Sequence, residues 1–414
     1  MKKYAVSFID SITQARRDDW QRLAATDNPF ISYDYLSALE TTGATGEGTA
    51  WKPHHALVHD QNGVLVAATP LYIKDDSWGE FVFDFAWAEA HHRNGIAYYP
   101  KLVTAVPYTP VAGPRLLVGK VDSGDAQSGD AQSGDAESRD AESGGNESGA
   151  NRLAAINALL KAVEEKVESL DGSSWHMLFP NPESRALLES KSDYIVRKDC
   201  QFHWRNKDYT SFDHYLSHFR SSRRKKTRRE RRKVAEAGIH VQLLHGSDMT
   251  QEQWEAFYEL YASTFYARGR APYFDLAFFT TIARSDLINI RVCFGLRDEQ
   301  TIAASMFFET DTTLYGRYWG TREFVDGLHF ELCYYQGIEY CIEKKLHTFD
   351  PGVQGEHKIA RGFQASPSWS VHWLRFPPFA DAIRNHVELE SGHVKEYAEQ
   401  VDQHLPFRKE DRNL

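Results

Sequence analysis

Between Asp122 and Ala150 the chain has no aromatic residue and no aliphatic side chain larger than alanine. Aspartate recurs at 125, 130, 135 and 140, and serine at 123, 128, 133, 138, 143 and 148, a period of five. Five matches neither the 3.6-residue repeat of a helix nor the two-residue repeat of a strand, so no apolar face can form. Residues 122–150 are therefore expected to be a flexible, disordered, acidic insert. Patterned sequence resumes on both sides, at Leu116-Leu117-Val118 and Leu153-Ala154-Ala155-Ile156, which puts the insert in an expanded loop inside a domain.

The flanking stretches must supply the core, and they can. The 414 residues are 42% hydrophobic and 13% aromatic, which excludes a wholly disordered or fibrous chain. At roughly 100–200 residues per domain, two domains are expected. Apolar runs such as Leu314–Trp319, itself interrupted by Arg317, fall far short of the roughly 18 residues needed to span a bilayer. The N-terminus reaches Asp10 before a signal-peptide core can form, so a cytoplasmic protein is expected. Cys200, Cys293, Cys333 and Cys341 form no CxxC pair and no zinc spacing, and His54-His55 and His91-His92 lack metal-ligand companions. Buried free thiols and no metal site follow.

Element patterns repeat across the chain. Asp34–Leu39 has helical spacing, and His54–His59 and Gly63–Lys74 flank an Asn62-Gly63 hairpin signal. Glu80–Phe85 reads as a strand, and Pro-rich Tyr98–Val118 as a surface crossing. Leu153, Ile156, Leu159, Leu160, Val163 and Val167 mark a helix ending at Asp171-Gly172, before a strand at Trp175–Phe179. The second half has helices at Phe212–Phe219, Ser222–Ala237 and around Trp254–Tyr261. Strands are expected at Ile239–Leu244, Ile288–Leu296, Thr301–Glu309 and Thr313–Trp319, then a helix at His329–Lys345 and a strand at His347–Asp350. Strands, a helix and a strand, twice over, predict a tandem α/β architecture.

Net charge is −10 but unevenly spread: Arg220–Lys233 holds ten Lys or Arg and one acid, Glu230. A helix charged on all sides repels itself unless phosphates or carboxylates neutralise it, so Arg223, Arg224, Lys225, Lys226 and Arg228 are candidate anion-binding residues. The alternative is a solvated helix paired with the acidic body. Along Leu314–Gly320, strand alternation puts Tyr315, Arg317 and Trp319 on one face and Gly316 and Tyr318 on the other. Arg317 must then meet Glu331, Asp350 or an anionic substrate. His329 and Glu331 open a helix, where Glu331 also suits the dipole. The loop Asp350–Phe363, at a strand end, carries Glu356, His357, Lys358 and Arg361 between glycines. Glu356 or His357 is a candidate general base, and Lys358 and Arg361 are candidate anion holders. His176 and His203 sit in aromatic strand patterns and read as core. No G-x-S-x-G, P-loop or GxGxxG is present.

Several stretches together resemble the bacterial FemAB-like family of the GNAT acyltransferase superfamily. They include Trp51-Lys52-Pro53-His54, Gly79–Asp84, Tyr98–Leu102 and Val106–Pro110. They continue through Gln201–Trp204, the basic block, Tyr315–Gly320, Leu328–Gln336 and Gln354–Lys358. The resemblance implies an α/β fold of two tandem GNAT-like domains, mixed sheets flanked by helices, divided at 1–205 and 206–414. It implies an acyl- or aminoacyltransferase, with acyl-CoA or aminoacyl-tRNA as donor substrate, no permanently bound cofactor, and a small-molecule or cell-wall-precursor amine as acceptor. The Q/R-x-x-G-x-G/A pyrophosphate loop of acetyl-CoA enzymes is not found between Thr313–Gly320 and His329. In this reading Glu356, His357 and Tyr315 serve catalysis, and Arg317, Lys358, Arg361, His329 and Glu331 bind substrate. The rival is a non-catalytic anion- or nucleic-acid-binding adaptor on the same fold, with tRNA as the partner of the basic helix.

Overall fold

A computed structural model describes residues 4–119, 140–353 and 355–411. In chain order the first half comprises β1 (Ala5–Ile9), α1 (Arg17–Ala24), α2 (Tyr33–Thr41), β2 (Lys52–Pro53), β3 (His55–His59), β4 (Leu65–Thr69), β5 (Leu71–Lys74), α3 (Phe85–Arg93) and β6 (Lys101–Thr104). It continues with β7 (Leu117–Val118), α4 (Asp140–Ser169), β8 (Ser174–Leu178), α5 (Pro182–Glu189) and β9 (Ile195–Arg205). The second half comprises α6 (Phe212–Ser217), α7 (Ser221–Glu236), β10 (His240–His245), α8 (Gln251–Tyr266), α9 (Leu276–Ile282), β11 (Asn289–Arg297), β12 (Gln300–Glu309) and β13 (Thr313–Thr321). A helix follows as α10 (Leu328–Phe330), a π-turn (Glu331–Tyr335) and α11 (Gln336–Lys344), then β14 (Thr348–Asp350), β15 (Gln364–Leu374) and α12 (Pro377–His404).

Two sheets carry the fold. The smaller has the order β1-β3-β4-β7. The larger runs β10-β11-β12-β13-β14-β9-β15-β8-β6-β5-β2 and so crosses from one half of the chain to the other. At its centre the halves interleave: β9 pairs with β14 on one side and β15 on the other, and β15 pairs with β8. Helices cover the faces, with α4 packed on β3, β4 and β8 and α8 on β12 and β13. The expected face of α4 is the buried one: Ile156, Leu159, Leu160, Val163 and Val167 are all in the core.

Several expectations are corrected. The segment Gly63–Lys74 is two strands, because Pro70 lacks the amide a continuous ladder needs; β4 joins the small sheet and β5 the large one. Glu80–Phe85 is not a strand: the chain turns at Gly79 (φ 77°) and enters α3 at Phe85. Tyr98–Val118 does not cross a surface, since Tyr98, Val103, Val106, Val111, Arg115 and Leu116 are buried. Of the insert at 122–150, residues 122–139 lie outside the described residues. From Asp140 onward the chain is already in α4. Once a helix is nucleated by a packed face, each further turn adds a hydrogen bond per residue and needs no apolar stripe of its own.

Candidate active site

The parallel pair β13–β14 is short. Thr313, Leu314 and Tyr315 face Thr348, Phe349 and Asp350, and there the pairing stops. β13 continues along β12, whereas β14 turns away at Pro351-Gly352, leaving a fork. β13 also bulges at this point. Ser305 faces Trp319 and Met306 faces Arg317, so Tyr318 has no partner and takes φ 56°. A bulge of one residue reverses the facing of everything beyond it. Tyr315 and Tyr318 therefore both pack with the aromatic core formed by α2, α8 and α9, while Trp319 packs on the opposite side with the α10–α11 core. This corrects the expectation that Tyr315, Arg317 and Trp319 share a face. The left-handed backbone of Tyr318 is held by ring contacts to Tyr261, Phe274 and Phe279 at 5.2, 5.7 and 5.6 Å.

Two adjoining cavities open at the fork. A small one, about 100 Å³, is lined by Ser305, Arg317, Trp319, His329, Cys333 and Tyr334. A larger one, about 420 Å³, shares Gly316–Trp319, Tyr334 and Pro351 with it and extends to Phe81, Tyr108, Phe265, Arg268, Arg270 and Tyr273. Phe81, Tyr108 and Pro110 come from the first half of the chain. The larger cavity's lining holds three arginines and no carboxylate. In an acidic chain this concentrates positive potential at one place.

The charges around the fork are fixed from behind. Arg317 grips Asp350 with Nη2–Oδ2 at 3.0 Å and Nη1–Oδ1 at 3.3 Å, both side chains buried. Burial opposes the Asp350 charge, but Arg317, His203 and the Gly352 amide outweigh it and hold the carboxyl down to about 2. Lys358 is buried and donates to the Gly352 carbonyl; burial lowers its ammonium to about 7. The Nε of Arg317 and Nε2 of His203 are buried without a hydrogen-bond partner. His357 lies one step from the cavity, its Nε2 2.8 Å from the Tyr334 hydroxyl. Burial, with Arg361 and Lys358 nearby, lowers the His357 pKa; His329 beside it is lowered to about 4 by burial and by His357.

Other predicted residues lie elsewhere. Glu356 is exposed, accepts from the Tyr397 hydroxyl at 2.9 Å, and faces a separate groove between α7 and α12. Tyr315 packs edge-on to Phe30 at 5.3 Å and lines neither cavity. Arg361 is held by Glu230 at 2.9 Å and the His357 carbonyl at 2.8 Å, over the Phe330 ring. Glu331 is buried and receives Arg231 Nη2 at 2.9 Å and Gln336 Nε2 at 2.7 Å. One face of α7 is thus docked through Glu230 and Arg231. Of its expected anion binders, Arg228 pairs with Asp213, Lys226 lies 4.0 Å from Glu230, and Arg224 reaches the Ser217 carbonyl. Arg223 and Lys225, with Arg229, make no ion pair among the described residues.

Tyr334, Tyr108, Arg268 and Arg270 are not marked by spacing, and alternation puts Tyr318 on the face opposite Tyr315. Tyr318 becomes a site residue through the bulge, and Tyr108 through contact between distant segments, neither of which leaves a local pattern. Among the described residues no group of His, Cys, Asp and Glu is placed to hold a metal ion, and no helix is long and apolar enough to cross a membrane.

Comparison with solved structures gives remote likenesses. A conserved protein of unknown function from Bacteroides thetaiotaomicron VPI-5482 matches with a TM-score of 0.50 at 10% identity, over 90% of this chain and 100% of its own. A tandem GNAT protein from the clavulanic acid biosynthesis pathway matches with a TM-score of 0.44 at 11% identity, over 91% and 99%. FemX matches with a TM-score of 0.45 at 12% identity, over 85% and 94%. No curated protein matches. The fold is α/β, with mixed sheets flanked by helices. The sequence model of the FemAB-like family, described as peptidoglycan biosynthesis/recognition, matches residues 11–135 and 145–409, and the chain belongs to that family.

Proposed function

We propose that the protein transfers an acyl or aminoacyl group from an activated donor to an amine acceptor at the β13–β14 fork, a peptidoglycan precursor being the acceptor the family description favours. The observation that carries this reading is the fork itself: a strand parting and a bulge open onto a cationic cavity beside a His–Tyr pair. The acceptor nitrogen attacks the donor carbonyl carbon while its proton passes to the Tyr334 oxygen and the Tyr334 proton passes to His357 Nε2. Collapse of the tetrahedral intermediate expels the thiolate or ribose hydroxyl of the donor, which takes the proton back. A His357 whose pKa is lowered is neutral at pH 7, as a base must be. Arg317, fixed by Asp350, lines both cavities and places its positive charge at the fork for an anionic group of either substrate. Glu331 and Arg361 hold α7 in place and act as scaffold.

The donor is decided by thermal stabilisation against an acyl-CoA panel and, separately, charged tRNA, because a ligand that binds only the folded state raises its stability. A shift with one acyl-CoA names a coenzyme donor, and a salt-sensitive shift with charged tRNA names the aminoacyl route. No shift with either, together with full activity in Tyr334→Phe, removes the proposal. The adaptor reading keeps one observation, that Arg223, Lys225 and Arg229 make no ion pair among the described residues. It requires nucleic acid to bind while Tyr334→Phe and His357→Ala lose nothing.

A further inference from the structure

The segment from Ser77 to Phe85 is folded inside out. Its ionisable residues point inward: Glu80 and Asp84 are 3% and 2% exposed. Both meet Lys101, whose Nζ also donates to Ser77 Oγ at 2.8 Å and to Glu80 Oε2 at 2.9 Å, and Asp84 further accepts from the Tyr98 hydroxyl. Three of its four aromatic residues point outward: Trp78, Phe83 and Phe85 are 54%, 67% and 47% exposed. The three rings form one patch, with Trp78–Phe85 centroids at 6.2 Å and Phe83–Phe85 at 6.1 Å. A soluble surface would place these residues the other way round, since burying two carboxylates and a lysine costs free energy even when they are paired and three exposed aromatic rings return none.

The charges around the patch are one-sided. The neighbouring acids are neutralised locally: Asp75 by Lys52, Asp76 by Lys74 and Glu89 by Arg93. Arg268 and Arg270, on the loop after α8, have no carboxylate partner among the described residues, and Arg270 lies over the Trp78 ring at 4.5 Å. Exposed Tyr266 stands at the same loop. Phe81, between Trp78 and Phe83, points the other way and lines the large cavity, as do Arg268 and Arg270. The patch therefore forms the rim of the cavity mouth.

We propose that this rim docks the protein on an anionic bilayer surface, with Trp78, Phe83 and Phe85 entering the headgroup–acyl boundary and Arg268 and Arg270 meeting lipid phosphates. A tryptophan and two phenylalanines beside two arginines suit that boundary, the rings on its apolar side and the guanidinium groups among the phosphates. The buried Lys101 network makes the loop a rigid pedestal, so docking costs little ordering entropy. This inference stands whether or not the transfer reaction does.

The test is co-sedimentation of the full chain with phosphatidylcholine vesicles, with and without phosphatidylglycerol. Wild type is expected to pellet with the anionic vesicles and to be released by salt. Trp78→Ser/Phe83→Ser/Phe85→Ser, with an unchanged melting temperature, should lower partitioning by about tenfold or more, as expected for withdrawing that much apolar area. Arg268→Gln/Arg270→Gln should weaken binding to anionic vesicles only. Wild type left in the supernatant with anionic vesicles at low salt overturns the proposal. So does a triple variant that pellets like wild type, or a wild-type oligomer that the triple variant converts to monomer, which would make the patch a contact between copies.

Discussion

The Arg317 guanidinium and the Asp350 carboxylate face each other at the point where β13 and β14 part, 3.0 and 3.3 Å apart through two pairs of atoms. The pair joins the last hydrogen-bonded residues of one strand to the bulge of the other. Asp350→Asn keeps the shape and removes the charge, leaving a buried guanidinium uncompensated. The expected loss is roughly 3–5 kcal/mol in urea unfolding. The wild-type pair also sets a pH dependence. The Asp350 pKa is lowered in the fold, so its contribution is complete above the unfolded value near 3.8 and is lost as pH falls toward about 2. The wild-type-minus-variant difference should shrink over that window and be flat near neutrality.

His357 and Tyr334 should behave as one unit. Tyr334→Phe and His357→Ala are each expected to lower turnover by about 10²–10⁴-fold, and the double variant little further. Because the His357 pKa is lowered, the acid limb of the rate profile should lie below the ordinary histidine value and be absent in His357→Ala. Glu356→Gln, which alters a contact with Tyr397 on the other side of the loop, should leave the profile in place. Full turnover in His357→Ala would remove the dyad from the mechanism.

Lys358 gives a pH signature of the same sign in a separate, alkaline window. Burial lowers its ammonium from 10.5 to about 7, so between those values the unfolded chain holds a proton that the folded chain has released. Stability due to this residue must then rise with pH across that window. Unfolding of wild type and Lys358→Met compared from pH 7 to 10 should show wild type gaining on the variant. A constant difference would mean that Lys358 stays charged in the fold.

The two faces of α7 should separate cleanly. Arg231→Ala strips the buried Glu331 carboxylate of its cation and should destabilise by about 2 kcal/mol or more. Arg223→Ala/Lys225→Ala/Arg229→Ala removes charges that pair with no carboxylate among the described residues and should leave the melting temperature within a degree or two, as unpaired surface charges contribute little. It should flatten the salt dependence of any nucleic-acid binding. A triple variant that unfolds would show these cations to be structural.

Local pattern carried the elements whose packing is one-sided. α4 showed its face in Ile156, Leu159, Val163 and Val167, and α7 ended at Gly238 (φ 74°) as glycine spacing predicts. β15 and α12 left no such pattern. β15 is flanked by strands on both sides, and its Ser366, Ser368 and Ser370 are buried although nothing in their composition says interior. At the site, the loop carrying His357 and Lys358 was legible as a dense polar cluster after a strand. The facing of Tyr318 was not, because a bulge adds one residue to a strand without altering its composition. The division of labour in that loop also depends on what packs against it: Tyr397 of α12 claims Glu356, and Tyr334 of the π-turn claims His357.

The position of β15 has a consequence for how the chain is made. It lies between β9 and β8, both of which precede it by more than 150 residues in sequence. During synthesis β8 and β9 leave the ribosome long before their common neighbour, and each waits with an unsatisfied edge. The first half therefore cannot close its sheet until residue 374 has emerged. A stop codon placed between the halves should yield an N-terminal fragment that aggregates through those edges. Supplying residues 206–414 as a separate chain should rescue it, with Gln364–Leu374 as the clasp.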